Sequence, residues 1–238
     1  MRISLPLAAA VIALAFSTPV PAGKTAAVAA EPVPTLRYLD PATVRPELLL
    51  SQPARVGSPE LTRELDQVRL LGRTASAARQ AQAKADDGLE DPKIFDAAAG
   101  LKLEQLPKTY ALLKLMQDET EAVVVPAKAW FAQPRPYQID PKLRHCGTGT
   151  AKHTAYPSGH AGFGYSVGWA LALLMPARAP RVLARAQDYA LSREICGNHF
   201  HSDTEASRVI GTMVTERLFA DPRLAAQIAA ARAELARP

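Results

Sequence analysis

Three short segments of this 238-residue chain carry the residue types that handle a phosphate ester. The first pairs Lys128 with Arg135-Pro136, the second reads Pro157-Ser158-Gly159-His160, and the third runs from Ser192-Arg193 to His199 and Asp203. Cations neutralise the outer oxygens of a phosphoryl group. One histidine can attack phosphorus once a carboxylate has fixed its tautomer, and a second can give a proton to the departing oxygen.

Local spacing sharpens each assignment. Pro157-Ser158-Gly159 is a helix-start signal, so free amides and the positive end of the helix dipole face any bound anion. Gly159 lets the backbone approach phosphate, the Ser158 hydroxyl can donate, and His160 falls at the rim. His199 and Asp203 are four apart and share a face if a helix beginning after Gly197 includes them, so that Asp203 would hold one imidazole nitrogen and leave the other to attack. Arg193 lies across the break at Gly197 and could grip the same phosphate with two prongs. The turn forced by Pro134 and Pro136 can bring Arg135 beside Lys128. Each segment alone also fits a structural role: a capped helix with an exposed histidine, an Arg193–Asp203 surface ion pair, a solvated basic helix end.

The elements that must position these residues read as helices. Apolar residues recur at helical spacing over 61–85, 106–131, 162–175, 182–195 and 206–219, and the Ala-rich tail 223–236 continues the pattern. Strand-like alternation is scarce, which predicts an all-α fold: a single helical-bundle domain over 60–238. The apolar stretch Ala161 to Met175 is too short for a membrane span and reads as a buried central helix. Ahead of the bundle, 23–59 is rich in proline and reads as an extended arm. Residues 1–22 read as a signal peptide, Arg2 preceding an apolar run from Leu5 to Phe16, with cleavage as late as 30 and an uncleaved anchor as the alternative.

Composition narrows the function. The chain is 48% hydrophobic and 21% charged, an ordinary globular balance. Its pI of about 9.3 comes from scattered Lys and Arg with no dense basic run, which suits a small anionic ligand and argues against a nucleic-acid partner. Cys146 and Cys196, the two cysteines, are a sensible disulfide pair in an oxidising compartment, two buried thiols being the alternative.

Taken together, the segments resemble the signature of the superfamily that contains type 2 phosphatidic acid phosphatases, bacterial class A non-specific acid phosphatases and vanadium haloperoxidases. The chain looks most like a class A acid phosphatase. The likeness extends through LEQLPKTYALLKLM at Leu103–Met116, AYPSGH, and SREICGNHFHSD at Ser192–Asp203. The resemblance implies a helical bundle, a metal-free site with no cofactor, and hydrolysis of small phosphomonoesters with release of inorganic phosphate through a phosphohistidine. It makes His199 the nucleophile, Asp203 its orienting partner and His160 the general acid. Lys128, Arg135, Ser158, Gly159 and Arg193 would stabilise the transition state. Export to the periplasm or medium is expected, with no membrane span after signal removal; association into homo-oligomers and the preferred ester stay open. Two residues depart from the family pattern: Asn198 where an aromatic is common, and His201 where glutamine is usual.

Rival readings differ in chemistry. His199-x-His201-x-Asp203 matches the start of a metallohydrolase motif, but Thr204 follows and no histidine occurs beyond His201. A haloperoxidase would hold vanadate in the same pocket, a lipid phosphatase would act on membrane esters, and a non-catalytic phosphate-binding protein would keep the cradle without turnover.

Overall fold

The computed structural model describes residues 35–147 and 153–236. The signal segment expected over 1–22 lies outside them, as does the first part of the arm. Ten α-helices form the described chain and no strand occurs in it: α1 Pro46–Leu49, α2 Pro59–Thr74, α3 Ala77–Asp87, α4 Asp96–Ala99, α5 Pro107–Phe131, α6 Pro136–Ile139, α7 Gly159–Leu174, α8 Ala179–Ile195, α9 His201–Ala220 and α10 Ala225–Leu235. The all-α expectation holds. Among the described residues no helix is long and apolar enough to cross a membrane.

α7 is the axis of the bundle and packs on α5, α8 and α9. Its sequence is apolar or glycine on every side, so all its faces are buried, Phe163, Val167 and Leu171 among them. Small residues let the neighbouring helices close on it. A Cβ on Gly211 of α9 would lie 2.8 Å from the Gly162 carbonyl oxygen and 2.9 Å from the Ser166 nitrogen. Two hydroxyls pin the same seam: Ser207 Oγ donates to the Ser158 carbonyl at 2.7 Å, and Thr215 Oγ1 to that of Ser166 at 3.0 Å.

Two expectations need correction. The periodicity over 61–85 is interrupted after Thr74, because Ser76 takes the N-cap of α3 and its Oγ accepts from the Arg79 amide at 3.2 Å. The described part of the arm is more ordered than an extended strand of prolines. Pro46–Leu49 makes one helical turn, and Leu39, Val44 and Leu50 are buried in the main core. The amides of Arg37, Tyr38 and Leu39 donate to the buried Glu119 carboxylate of α5 at 2.6–3.3 Å. That single side chain satisfies three backbone donors that have no ladder to join.

A disulfide joins Cys146 to Cys196, whose Cα atoms are 4.9 Å apart, and the Cys146 amide donates to the Cys196 carbonyl at 3.0 Å. The bridge closes a sequence separation of 50 residues that holds the second segment and Arg193 of the third. It ties the loop after α6 to the C-terminus of α8.

Candidate active site

The third segment begins in the last turn of α8, where Arg193 is 4% exposed. The helix stops at Gly197, which adopts φ +67°; a Cβ there would lie 2.6 Å from the Arg144 carbonyl oxygen. The chain then doubles back, so that the amides of Asn198 and His199 both donate to the Arg193 carbonyl at 3.1 and 3.3 Å. The expected helical face for His199 and Asp203 is not how they meet. α9 starts only at His201 and His199 precedes it. Asp203, in the first turn, reaches back: its Oδ2 accepts from the Phe200 amide at 2.8 Å and from His199 Nδ1 at 3.2 Å. The carboxylate therefore stabilises the helix start and aims the imidazole at once.

Arg135 completes the assignment of the tautomer. Its guanidinium NH1 lies 3.1 Å from His199 Nε2, and guanidinium can only donate. Nε2 is thus the acceptor, Nδ1 carries the hydrogen toward Asp203, and the Nε2 lone pair points into a cluster of cations. Arg135 gets there as expected, by a turn. α5 ends where Ala132 takes φ +49°, and Arg135 then stands as N-cap of the short α6. Lys128 and Arg135 meet on Thr154: Lys128 Nζ donates to its carbonyl at 2.7 Å and Arg135 Nε to its hydroxyl at 3.2 Å.

The second segment closes the site. The Ser158 amide donates to the Asp203 carbonyl at 3.2 Å, joining the start of α7 to that of α9. A cavity of about 220 Å³ results, walled by Lys128, Arg135, Gly159, His160, Arg193 and His199, with Glu90, Gln117, Glu121 and Phe163 also in its lining. Six of the eight residues singled out in the sequence line it. Asp203 stands behind His199. Ser158 is fully buried and does not line the cavity; it caps α7, its Oγ accepting from the Ala161 amide at 3.3 Å, and its own hydrogen stays free to donate.

Four acidic or amide groups on or behind the wall were not anticipated. Asp87, at the end of α3, pairs with Arg193 NH1, and its Oδ1 also accepts from Asn198 Nδ2 at 2.9 Å. The structural alternative for Arg193, a surface pair with Asp203, is therefore replaced by a buried pair with Asp87. Asn198 finds a role there, its side-chain amide holding the carboxylate that pairs with Arg193. His201 is half-exposed and its Nδ1 faces Glu194 Oε1 at 3.0 Å, away from His199. Among the described residues no three His, Cys, Asp or Glu side chains converge on a metal-sized site. The His-x-His-x-Asp pattern is thus spread over two environments.

Electrostatics follow from burial among cations. His199, 1% exposed, is held well below the ordinary histidine range by burial and then by Arg135, Lys128 and Arg193. Burial also pushes the Asp203 carboxyl up to about 8, the Phe200 amide and Lys128 acting against it. In this buried pair the direction for His199 is decisive: with three cations around it, the ring stays neutral and nucleophilic in acid. Burial and Arg135 bring the Lys128 ammonium down to about 7. Its positive charge is present below that pH and lost above it. Since kcat/KM reports groups of the free enzyme, it is expected to hold through the acid range and fall, by up to about tenfold per pH unit, above about 7. A kcat/KM profile measured from pH 4 to 9 checks this; a rise through 8 contradicts it.

A helical bundle in which α5, α7, α8 and α9 converge on an anion cradle with an oriented histidine defines a class of phosphate-handling proteins, and comparison agrees. The PAP2 superfamily pattern matches residues 110–223. The chain is 30% identical over 199 residues to an acid phosphatase of Zymomonas mobilis, spanning 75% of that protein and 80% of this one. It is 30% identical over 164 residues to a non-specific acid phosphatase of Salmonella typhimurium, covering 66% of each chain. A relative from Providencia stuartii with the same name is 27% identical over 60% of each. Among solved structures, a transmembrane PAP2-type phosphatidylglycerolphosphate phosphatase from Bacillus subtilis shares the fold at TM-score 0.51 and 15% identity, over 68% of this chain and 85% of that one. The chain belongs to the PAP2 superfamily and, within it, to the acid phosphatase family.

Proposed function

We propose that the protein is a metal-independent acid phosphatase that hydrolyses phosphate monoesters of broad range through a phosphohistidine on His199. The observation that carries this reading is the His199 tautomer: Nδ1 is committed to Asp203 while Nε2 faces Arg135 in a pocket of three cations. One further feature asks for an anion. Arg193 Nε is buried with no hydrogen-bond partner among the described residues, a costly state that a phosphoryl oxygen would relieve.

In the first half-reaction the Nε2 lone pair attacks phosphorus and the P–O bond to the leaving group breaks. Lys128, Arg135 and Arg193, with the amide end of α7 at Gly159, hold the three outer oxygens as negative charge builds on them. His160 gives its proton to the departing oxygen. In the second, His160 takes a proton from water, whose oxygen attacks the phosphohistidine, and inorganic phosphate leaves with Nε2 restored. Broad range follows from size. About 220 Å³ is less than the roughly 300–1,000 Å³ of pockets that enclose a whole small-molecule ligand, so the phosphoryl group is enclosed and the leaving group projects outward.

Export to the periplasm or medium belongs to the same proposal, since a disulfide persists in oxidising compartments. The test is a substrate panel of nucleotides, sugar phosphates, an aryl phosphate and phosphatidic acid, run with and without EDTA. The soluble monoesters are expected to be cleaved at comparable rates with or without chelator. Loss of activity in EDTA contradicts metal independence, and turnover of phosphatidic acid alone contradicts the substrate class.

A further inference from the structure

His160 is engaged at both ring nitrogens. Its Nε2 lies 3.2 Å from the Asp87 carbonyl oxygen and its Nδ1 lies 3.3 Å from Glu90 Oε2. A carbonyl only accepts, so Nε2 carries a hydrogen. Nδ1 faces a carboxyl, and that contact is attractive only if one proton lies in it. Either the ring is charged against a carboxylate, or a neutral carboxyl donates to the ring.

The turn that presents Glu90 is clamped along its length. Asp87 is fixed by Arg193 and Asn198, the Leu89 carbonyl accepts from Tyr189 Oη at 2.8 Å, and the Glu90 carbonyl accepts from Gln117 Nε2 at 3.1 Å. One turn earlier, Asp86 is paired with Arg185 of α8 at 2.6 Å. The His160 ring in turn stacks on Tyr189, with centroids 6.0 Å apart and planes 15° apart. Glu90 itself is 38% exposed and lines the same cavity as His160 and His199.

We infer that Glu90 is a positioning residue for the leaving-group step, sharing one proton with His160 Nδ1 so that His160 can act as the acid. This rests on the proposed phosphatase reading. The proton balance is simple: the Glu90 carboxyl proton passes to Nδ1 and on to the departing alkoxide, where an O–H bond forms as Glu90 is left a carboxylate. His160 Nδ1 is then free to take the proton of the attacking water, which returns the pair to its starting state.

The groups facing Glu90 act in both directions, and burial decides the outcome. Burial and then Glu121 of α5 push its carboxyl up to about 7, against Arg193 of α8 and Lys128 and Lys114 of α5. His160, near Arg193, Lys128 and Arg135, is driven by burial down to about 3. Between these two values the proton of the pair is held on the Glu90 side of the contact, nearly to neutrality.

Glu90→Gln tests this with an alkyl phosphate, whose leaving group needs a proton, and a nitrophenyl phosphate, whose leaving group does not. The ratio of alkyl to aryl kcat is expected to fall at least about tenfold, within the range that general acids contribute. The alkaline limb of the alkyl kcat profile is expected to move more than about one unit toward acid, while the Lys128 limb in kcat/KM for the nitrophenyl ester stays. Equal losses on both esters, or an unmoved limb, overturn the inference. Inhibition by inorganic phosphate, measured in parallel, is expected to be retained; its loss also counts against the inference, because Glu90 would then be supporting the cradle and not the proton. If the unaltered protein cleaves neither ester, it is the phosphatase reading that fails.

Discussion

His199→Ala is expected to lower kcat/KM by about 10⁴-fold or more on every ester, aryl or alkyl, because no other group on the wall can replace it as nucleophile. Arg135, Lys128 and Arg193 carry protons, offer no lone pair to phosphorus in acid, and are committed to its outer oxygens. Asp203 is screened behind the ring. The loss is expected to be chemical, not structural. Asp203 keeps its bond to the Phe200 amide, and the fold around the imidazole is held by α7–α9 contacts that the substitution does not touch. Inorganic phosphate should therefore still raise the melting temperature of the variant, since the three cations remain. Steady-state kinetics beside a phosphate-dependent melting series separates the two. A variant that keeps a tenth of its activity removes His199 from the centre of the mechanism.

His160→Ala is expected to divide substrates by leaving group. With an alkyl phosphate the departing alkoxide needs a proton, and loss of the acid should cost about 10²–10⁴-fold. With a nitrophenyl phosphate the first step should survive. The second should not, for water then lacks its base, so the phosphoenzyme builds up. The expected signature is a burst of one equivalent of nitrophenol followed by slow turnover. A uniform loss on both esters, without a burst, would mean that His160 shapes the pocket and moves no proton.

How far the site could be read from sequence differs by segment. The helix-start signal at Pro157–Gly159 and the proline-bounded turn at Arg135 are local events, so their geometry followed from spacing alone. His199 and Asp203 were correctly coupled for an incorrect reason. Four-residue spacing suggested a shared helical face, yet Gly197 ends α8 and the carboxylate reaches back from the first turn of α9. Ser158 is buried and its Oγ accepts from the Ala161 amide, which leaves the hydroxyl hydrogen free for the donor role its type suggests. Asp87 and Glu90 could not be found. The run Asp86-Asp87-Gly88-Leu89-Glu90-Asp91 reads as a solvated acidic turn, and only the packing of α3 on α8 carries it to Arg193, 106 positions along the chain. The one local clue was Asn198. Its side-chain amide is a group that Asp87 accepts from.

The helices were legible wherever an apolar face ran unbroken, as over α5, α7 and α8. They were misjudged where capping overrode the pattern, as at Ser76, or where the buried Glu119 carboxylate gathered residues 37–39 of the arm, which join no helix. Hydrophobic periodicity locates elements, whereas long-range polar contacts position a site, and the latter leave no periodic trace.

The central claim is covalent capture of phosphate by His199. Its most direct measurement is acid-free quenching of His160→Ala during the nitrophenyl phosphate burst, followed by peptide mapping by mass. The predicted result is one phosphoryl group, stable in alkali and lost in acid, on the peptide that contains His199. A phosphoryl group on any other residue, or a burst that leaves the protein unmodified, would contradict it.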